Sequence, residues 1–232
     1  MSVLLPIALF SYYLVICVCQ DQFIATFQEG ITNSDLHQDS HFMEYTGDIP
    51  QITNFTACHW MNIKYFSKEF IPIWSYCFVR KGYEDLECLQ LSFVPISSSA
   101  NRDLRTKALL PWSRIQGSFE KSIVIEIKPF RHRTWNHICW MYSGTTGCHD
   151  VYYNGDMMKR VCVDFKGEAR SKIEGSKNVS NYSFIIGQEQ DVLGGSFESR
   201  QTFNGNLTDL NIWGKLLDYP NVLDLSKCKH FE

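Results

Sequence analysis

The sequence predicts an all-β protein of antiparallel strands in a single domain, and three observations carry that prediction. Runs rich in Val, Ile, Phe, Tyr, Trp and Thr recur along the chain, and Leu89-Gln-Leu-Ser-Phe alternates apolar with polar as a half-buried strand does. Asn154-Gly155 lies between two such runs and is a strong short-range hairpin signal. Glycine and proline are scattered, as in a loop-rich β protein, and no internal repeat or low-complexity tract stands out. The 232 residues suffice for one sizeable core, and β-sandwiches of this length are commonly single domains. A content of 44% hydrophobic, 14% aromatic and 20% charged residues is that of a globular protein. The formal net charge of −3 gives no electrostatic case for nucleic acid.

Residues 1–19 are almost all apolar or small and read as a secretory signal, with Cys17 and Cys19 before a cut near Gln20. The run lacks a basic start, so an uncleaved anchor is the alternative, although it is short and interrupted for a spanning helix of about 20 residues. Residues 20–40 are polar and mixed and read as an N-terminal arm, with the domain at 41–232. Phe42 to Tyr45 is a first strand, residues 48–53 a loop, and Asn54 to Phe66 a long second strand. Ile73 to Cys77 and Leu89 to Phe93 follow, then a loop over residues 96–105. Ile123 to Ile127 and His137 to Tyr142 are further strands, and Asp150 to Cys162 is the hairpin with Asn154-Gly155 at its tip. The fold has room for one short helix.

Nine cysteines occur, and with Cys17 and Cys19 in the signal seven remain: Cys58, Cys77, Cys88, Cys139, Cys148, Cys162 and Cys228. In an exported chain they read as disulfides, and the absence of any Cys-x-x-Cys argues against zinc. Cys148 and Cys162 flank the hairpin and could bridge it, and Cys77 and Cys88 could do the same around their own turn. Cys228 is then odd, and pairs either with one of those four or with another chain. Four sequons, at Asn54, Asn178, Asn181 and Asn206, fit a glycosylated, secreted, extracellular protein.

The stretch with the most chemistry is Ile185 to Gln201. Apolar residues end a strand, then oxygen donors come at Glu189, Gln190 and Asp191, and resume at Glu198 and Gln201 after Gly194-Gly195. Calcium takes six to eight oxygen ligands from carboxylates and carbonyls, and paired glycines let the chain double back so that both halves face one ion. An arbitrary acidic loop would be read as solvated.

The pattern Gly-Gln-Glu-Gln-Asp-x-x-Gly-Gly-x-Phe-Glu-x-x-Gln, here residues 187–201, resembles the calcium loop of the pentraxins. Two further stretches resemble the same family: Phe55-Thr-Ala-Cys58 with His137-Ile-Cys139, and Phe203-Asn-Gly-Asn-Leu-Thr-Asp-Leu-Asn-Ile-Trp213. The resemblance covers about residues 42–228. It implies a two-sheet antiparallel β-sandwich of the jelly-roll, lectin or laminin-G-like kind, and a Cys58–Cys139 disulfide. It implies that Glu189 and Asp191 bridge two calcium ions, that Gln190 offers its backbone carbonyl, and that Glu198 and Gln201 complete the second site. The remaining first-site ligands fall at Gly82-Tyr83 without a gap, or at Glu84 and Asp85 with one inserted residue; a solvated turn beside Arg80 and Lys81 is the alternative. Leu91 falls near the aromatic position of the apolar pocket in phosphocholine-binding members, so that specificity is not carried over. Met141-Tyr142 departs from the usual sequence after the cysteine and is compatible with pentraxin-like modules of adhesion receptors.

The function expected from this resemblance is secreted, calcium-dependent recognition of phosphoryl or carbohydrate groups on cell or microbial surfaces, in a homo-oligomer. The alternative is an adhesion or structural module that binds an extracellular protein partner. An enzyme is disfavoured, because the third acid follows Asp191 only after six residues with Gly-Gly between, which breaks the strand spacing of a glycosidase acid triad.

Overall fold

The structure, a computed structural model, describes residues 23–28, 41–47, 54–65, 71–80, 86–95, 107–114, 120–122, 125–127, 133–162, 179–199 and 201–228. Among the described residues, thirteen strands form two antiparallel sheets. The first, of six strands, runs β1 (Ala25–Phe27), β13 (Gly205–Trp213), β3 (Asn54–Ile63), β9 (Asn136–Ser143), β10 (Cys148–Tyr153) and β11 (Asp156–Cys162). The second, of seven strands, runs β2 (Met43–Tyr45), β12 (Val179–Ile186), β4 (Ile71–Arg80), β5 (Leu86–Pro95), β6 (Lys107–Arg114) and β7 (Glu120–Ser122), with β8 (Ile125–Ile127) also paired to β6. This is the jelly-roll-like two-sheet sandwich that the resemblance implied.

Alternation along each strand builds the core between the sheets. Phe55, Ala57, Met61 and Ile63 of β3 and Ile138, Trp140 and Tyr142 of β9 face Trp74, Tyr76, Leu89, Leu91, Phe93 and Phe184 of the other sheet. Trp74 stacks on Trp140 at 5.3 Å between ring centroids, and Phe55 meets Trp140 edge-on at 4.9 Å, so large rings join the two sheets directly. Leu91 is fully buried here rather than beside the candidate ion site. The residues of β5 that face outward are Gln90 and its same-side neighbours.

A short helix, α1 (Tyr219–Leu225), covers the outer face of the six-stranded sheet. Its Val222 and Leu225, with Leu217 before it, pack on Cys58, Cys139, Met141 and Tyr152. Every residue of β9 is therefore buried, and its alternation of polarity is lost. Asp218 caps α1 by accepting from Asn221 N at 3.1 Å, and a proline stands in the first turn. Thr56 of β3, on the same outer face, donates to Lys215 O and accepts from Leu217 N, which anchors the approach to the helix.

All three expected disulfides are present: Cys58–Cys139, Cys77–Cys88 and Cys148–Cys162. Each joins directly opposed residues of neighbouring strands. Cys228 is in no disulfide. Asn154 and Gly155 both adopt positive φ, the type I′ geometry that matches strand twist. The Asn54–Phe66 strand is observed as β3, and Ile125–Ile127 of the Ile123–Ile127 strand as β8. Residues 48–53 and 96–105, expected as loops, lie outside the described residues.

Three strands were not anticipated: β7, and the two that follow. The first is β6, whose Pro111 reads as a breaker; Pro111 falls between Lys107–Leu109, paired to β8, and Trp112–Arg114, paired to β7. The second is β1, inside the segment read as an arm. It pairs with β13 at the sheet edge and places Phe27 in the core against Phe203.

The Cys148–Cys162 bridge spans 14 positions at the open end of a hairpin on the sheet edge. Replacing both cysteines by serine is expected to lower unfolding stability by about 3 kcal/mol on the chain-entropy model. Denaturant melts of oxidised protein measure this, and a change below about 0.5 kcal/mol would show that the bridge constrains little.

Candidate calcium site

The Glu189–Gln201 loop lies on the outer face of the seven-stranded sheet, away from α1. At its start Gly187 has φ +92° and donates to Ile73 O at 2.9 Å. Gln188 and Thr202 then form a bridge that closes the base of the loop, and Phe203 N donates to Gly187 O. Between these ends Val192 and Gly195 pair in a tight reversal, with Gly194 at φ +72°. The two glycines therefore do what their spacing predicted: they fold one half of the loop back on the other.

Gln190 fixes the loop to the sheet. Its side chain is buried, and Nε2 donates to Ser75 Oγ at 3.0 Å, to Ser75 O at 3.1 Å and to Ser183 O at 3.4 Å. Its Oε1 accepts from Gly194 N at 2.8 Å. Ser75 Oγ in turn donates to Gln188 O at 3.0 Å. The amide is thus consumed by structure, and only the backbone carbonyl of Gln190 remains to serve an ion.

Glu189 is half-buried beside Gln90 of β5, whose Nε2 reaches Glu189 Oε2 at 3.4 Å and Ser92 Oγ at 2.7 Å. Asp191 and Glu198 are exposed at the loop surface. Burial pushes the Glu189 carboxyl up to about 7; the Gln90 hydrogen bond opposes this, while the charges of Asp191 and Glu198 add to it. Asp191 and Glu198 thus both act on Glu189, although the oxygens of the three do not all fall within 4.8 Å of one another. Like charges keep such a distance unless a cation screens them. Gln201 N donates to Glu198 O at 2.9 Å, which places these two side by side. The Oε1 of Gln201 is buried and accepts no hydrogen bond from the protein. A buried carbonyl oxygen without a donor, in one loop with three acids of which two act on Glu189, is a donor set that fits calcium.

Of the residues read from sequence, Glu189, Gln190, Asp191, Glu198 and Gln201 are brought into one loop. Glu84 and Asp85 lie outside the described residues. So does Asn178 among the sequons; Asn54, Asn181 and Asn206 lie on β3, β12 and β13. Gln90 and Ser75 were not singled out, because a polar residue alternating with apolar ones in a strand looks like any solvent-facing position. Their partners are 99 and 115 residues away in sequence. His137 is a core group: burial lowers it to about 4, and it lies 3.8 Å from a cysteine sulfur already in a disulfide.

A family model described as the Pentaxin family matches residues 37–232. The chain belongs to the pentraxin family. Curated pentraxin relatives include C-reactive protein 1.4 of Limulus polyphemus, 24% identical over 184 residues, which are 79% of this chain and 66% of that protein. The human neuronal pentraxin receptor is 24% identical over 180 residues, 78% of this chain and 30% of that one. The chain therefore spans less than two thirds of the length of these relatives. Among solved structures, a native heptameric SAP-like pentraxin from Limulus polyphemus superposes with a TM-score of 0.59 at 23% identity, covering 81% of this chain and 76% of that one. The CBM40 domain of a Ruminococcus gnavus sialidase gives 0.53 at 12% identity over 75% of this chain and 83% of that one, a likeness of fold alone.

The raised Glu189 value has a definite sign in ion-free protein. A carboxyl that holds its proton more tightly when folded adds stability below its unfolded value of about 4.5, and that stability is lost as pH rises through about 7. With chelator present, the melting temperature of wild type should fall relative to Glu189→Gln between these values. A difference between the two proteins that stays constant from pH 4.5 to 8 would contradict the burial of Glu189.

Proposed function

We propose that this pentraxin is a secreted, calcium-dependent recognition protein that binds phosphoryl or carbohydrate groups on cell or microbial surfaces. The observation that carries the reading is the Glu189–Gln201 loop, in which Asp191 and Glu198 act on the half-buried Glu189 carboxylate and the buried Gln201 oxygen has no donor from the protein. Calcium held there by Glu189, the Gln190 carbonyl, Asp191, Glu198 and Gln201 would keep coordination positions open to phosphate or sugar oxygens. The chain's own residues set the geometry: Gln190 anchors the loop, Gln90 bonds to the Glu189 carboxylate, and the Val192–Gly195 reversal turns the chain ahead of Glu198 and Gln201.

The disulfides and sequons support an extracellular setting. The heptameric neighbour supports a homo-oligomer, in which many weak sites act together and gain by effective concentration. A module that binds an extracellular protein partner, with calcium only ordering the loop, is the competing reading.

Millimolar calcium should raise the melting temperature, because a ligand that binds only the folded state stabilises it by mass action. The double substitution Glu189→Ala/Asp191→Ala should abolish the rise. Light scattering, with a glycan and phospholipid array read in calcium and in chelator, then separates the readings. A multimer with chelator-sensitive binding to sugars or phosphoryl groups supports recognition. A monomer that binds neither group, but binds a cell-surface protein regardless of calcium, supports the adhesion module. No calcium-dependent shift at all would remove the ion from both.

A further inference from the structure

The base of the candidate calcium loop is held by residues that precede the family-matched span, which begins at residue 37. Gln28 follows β1, is buried, and has φ +56°. Its Nε2 donates to Thr202 Oγ1 at 2.9 Å and to His41 O at 3.2 Å. Thr202 is the bridge partner of Gln188. Phe27 lies over the other strand of the same closure: a Cβ on Gly187 would meet its ring carbons at 2.8 Å, and its ring is edge-on to Phe203 at 5.4 Å.

The sequence positions make this contact matter. Gln188 and Thr202 stand immediately outside Glu189 and Gln201, the first and last side-chain donors of the loop. Whatever fixes Gln188 to Thr202 fixes the distance between those donors. Phe27 fills the space that only a glycine at 187 leaves, and the side chain of Gln28 ties Thr202 to the N-terminal segment. A separate contact, from the residue before β2, reaches the loop itself: Phe42 against Phe197 at 4.4 Å.

We propose that Phe27 and Gln28 form a clasp on the base of the loop, so that the N-terminal strand sets how tightly the loop holds its ion. Gln28 acts here as a positioning residue and not as a ligand. β1 has only three residues and lies at the edge of its sheet, and Phe23 and Ile24 before it are exposed. Short edge elements open at low free-energy cost. Detachment of β1 therefore loosens the loop while the two sheets stay closed. The effect on calcium rests on the reading of the loop as a calcium site; the effect on the loop itself does not.

The test uses the full chain and Gln28→Met, which keeps side-chain length and removes the donor. In chelator, hydrogen exchange of amides 188–202 should become about tenfold faster, as for a lost buried hydrogen bond, with β9 and β10 unchanged. Calorimetric titration should show calcium bound about tenfold more weakly. Phe27→Leu should move both readouts the same way. If wild type takes up no calcium while loop exchange still rises, the clasp stands and the calcium reading falls. Unchanged loop exchange overturns the clasp. So does a uniform rise across both sheets, which would make Gln28 a general support of the fold. Faster loop exchange with unaltered calcium affinity also overturns it, since the strand would then not set ion binding.

Discussion

The buried amide of Gln190 is the constraint on which the site depends. It spends its donors on Ser75 and Ser183 of adjacent strands and its acceptor on Gly194 of its own loop. In a water-excluded position such bonds are costly to break, because each freed group stays unsatisfied. The loop is therefore tied to β4 and β12 before any ion arrives. Glu189 and Asp191 flank Gln190, so their backbones are positioned by a group that is not itself charged. The repulsion among the acids is borne by a preformed frame.

The same alternation that places Gln190 divides the molecule into two working faces. In β4, Trp74 and Tyr76 enter the core while Ser75 faces the loop. In β3, Phe55 and Ala57 enter the core while Thr56 and Cys58 face α1. The helix thus closes one outer surface with apolar contacts, and the acidic loop occupies the other. The stacked Trp74 and Trp140 hold the two sheets between these faces as one body.

The disulfides follow from the same geometry. Each joins residues that the pairing register has already placed opposite one another. Cys58–Cys139 lies beneath the helix in the middle of the six-stranded sheet, while Cys77–Cys88 lies on the loop side. Cross-strand bridges of this kind restrict the unfolded chain and pin register, where a slip by one residue would turn every core side chain outward.

The sequence by itself determined the strands with clean alternation, the Asn154-Gly155 hairpin and the family motifs that imply the Cys58–Cys139 bridge and single out the Glu189–Gln201 loop. These features are local, or are carried by spaced motifs, and local chemistry reads directly from order along the chain. The tertiary structure alone decided that β9 is buried on both faces, because its outer cover comes from a helix some eighty residues later. It alone decided that Leu91 belongs to the core, since the side of a strand that faces inward depends on its partner. It also revealed Ser75, Gln90 and Gln28 as supports of the loop. Each is an ordinary polar residue whose meaning comes from a partner about a hundred or more positions away. Hydrogen bonds of that range are made only when the sheets close, and nothing in the neighbouring sequence encodes them.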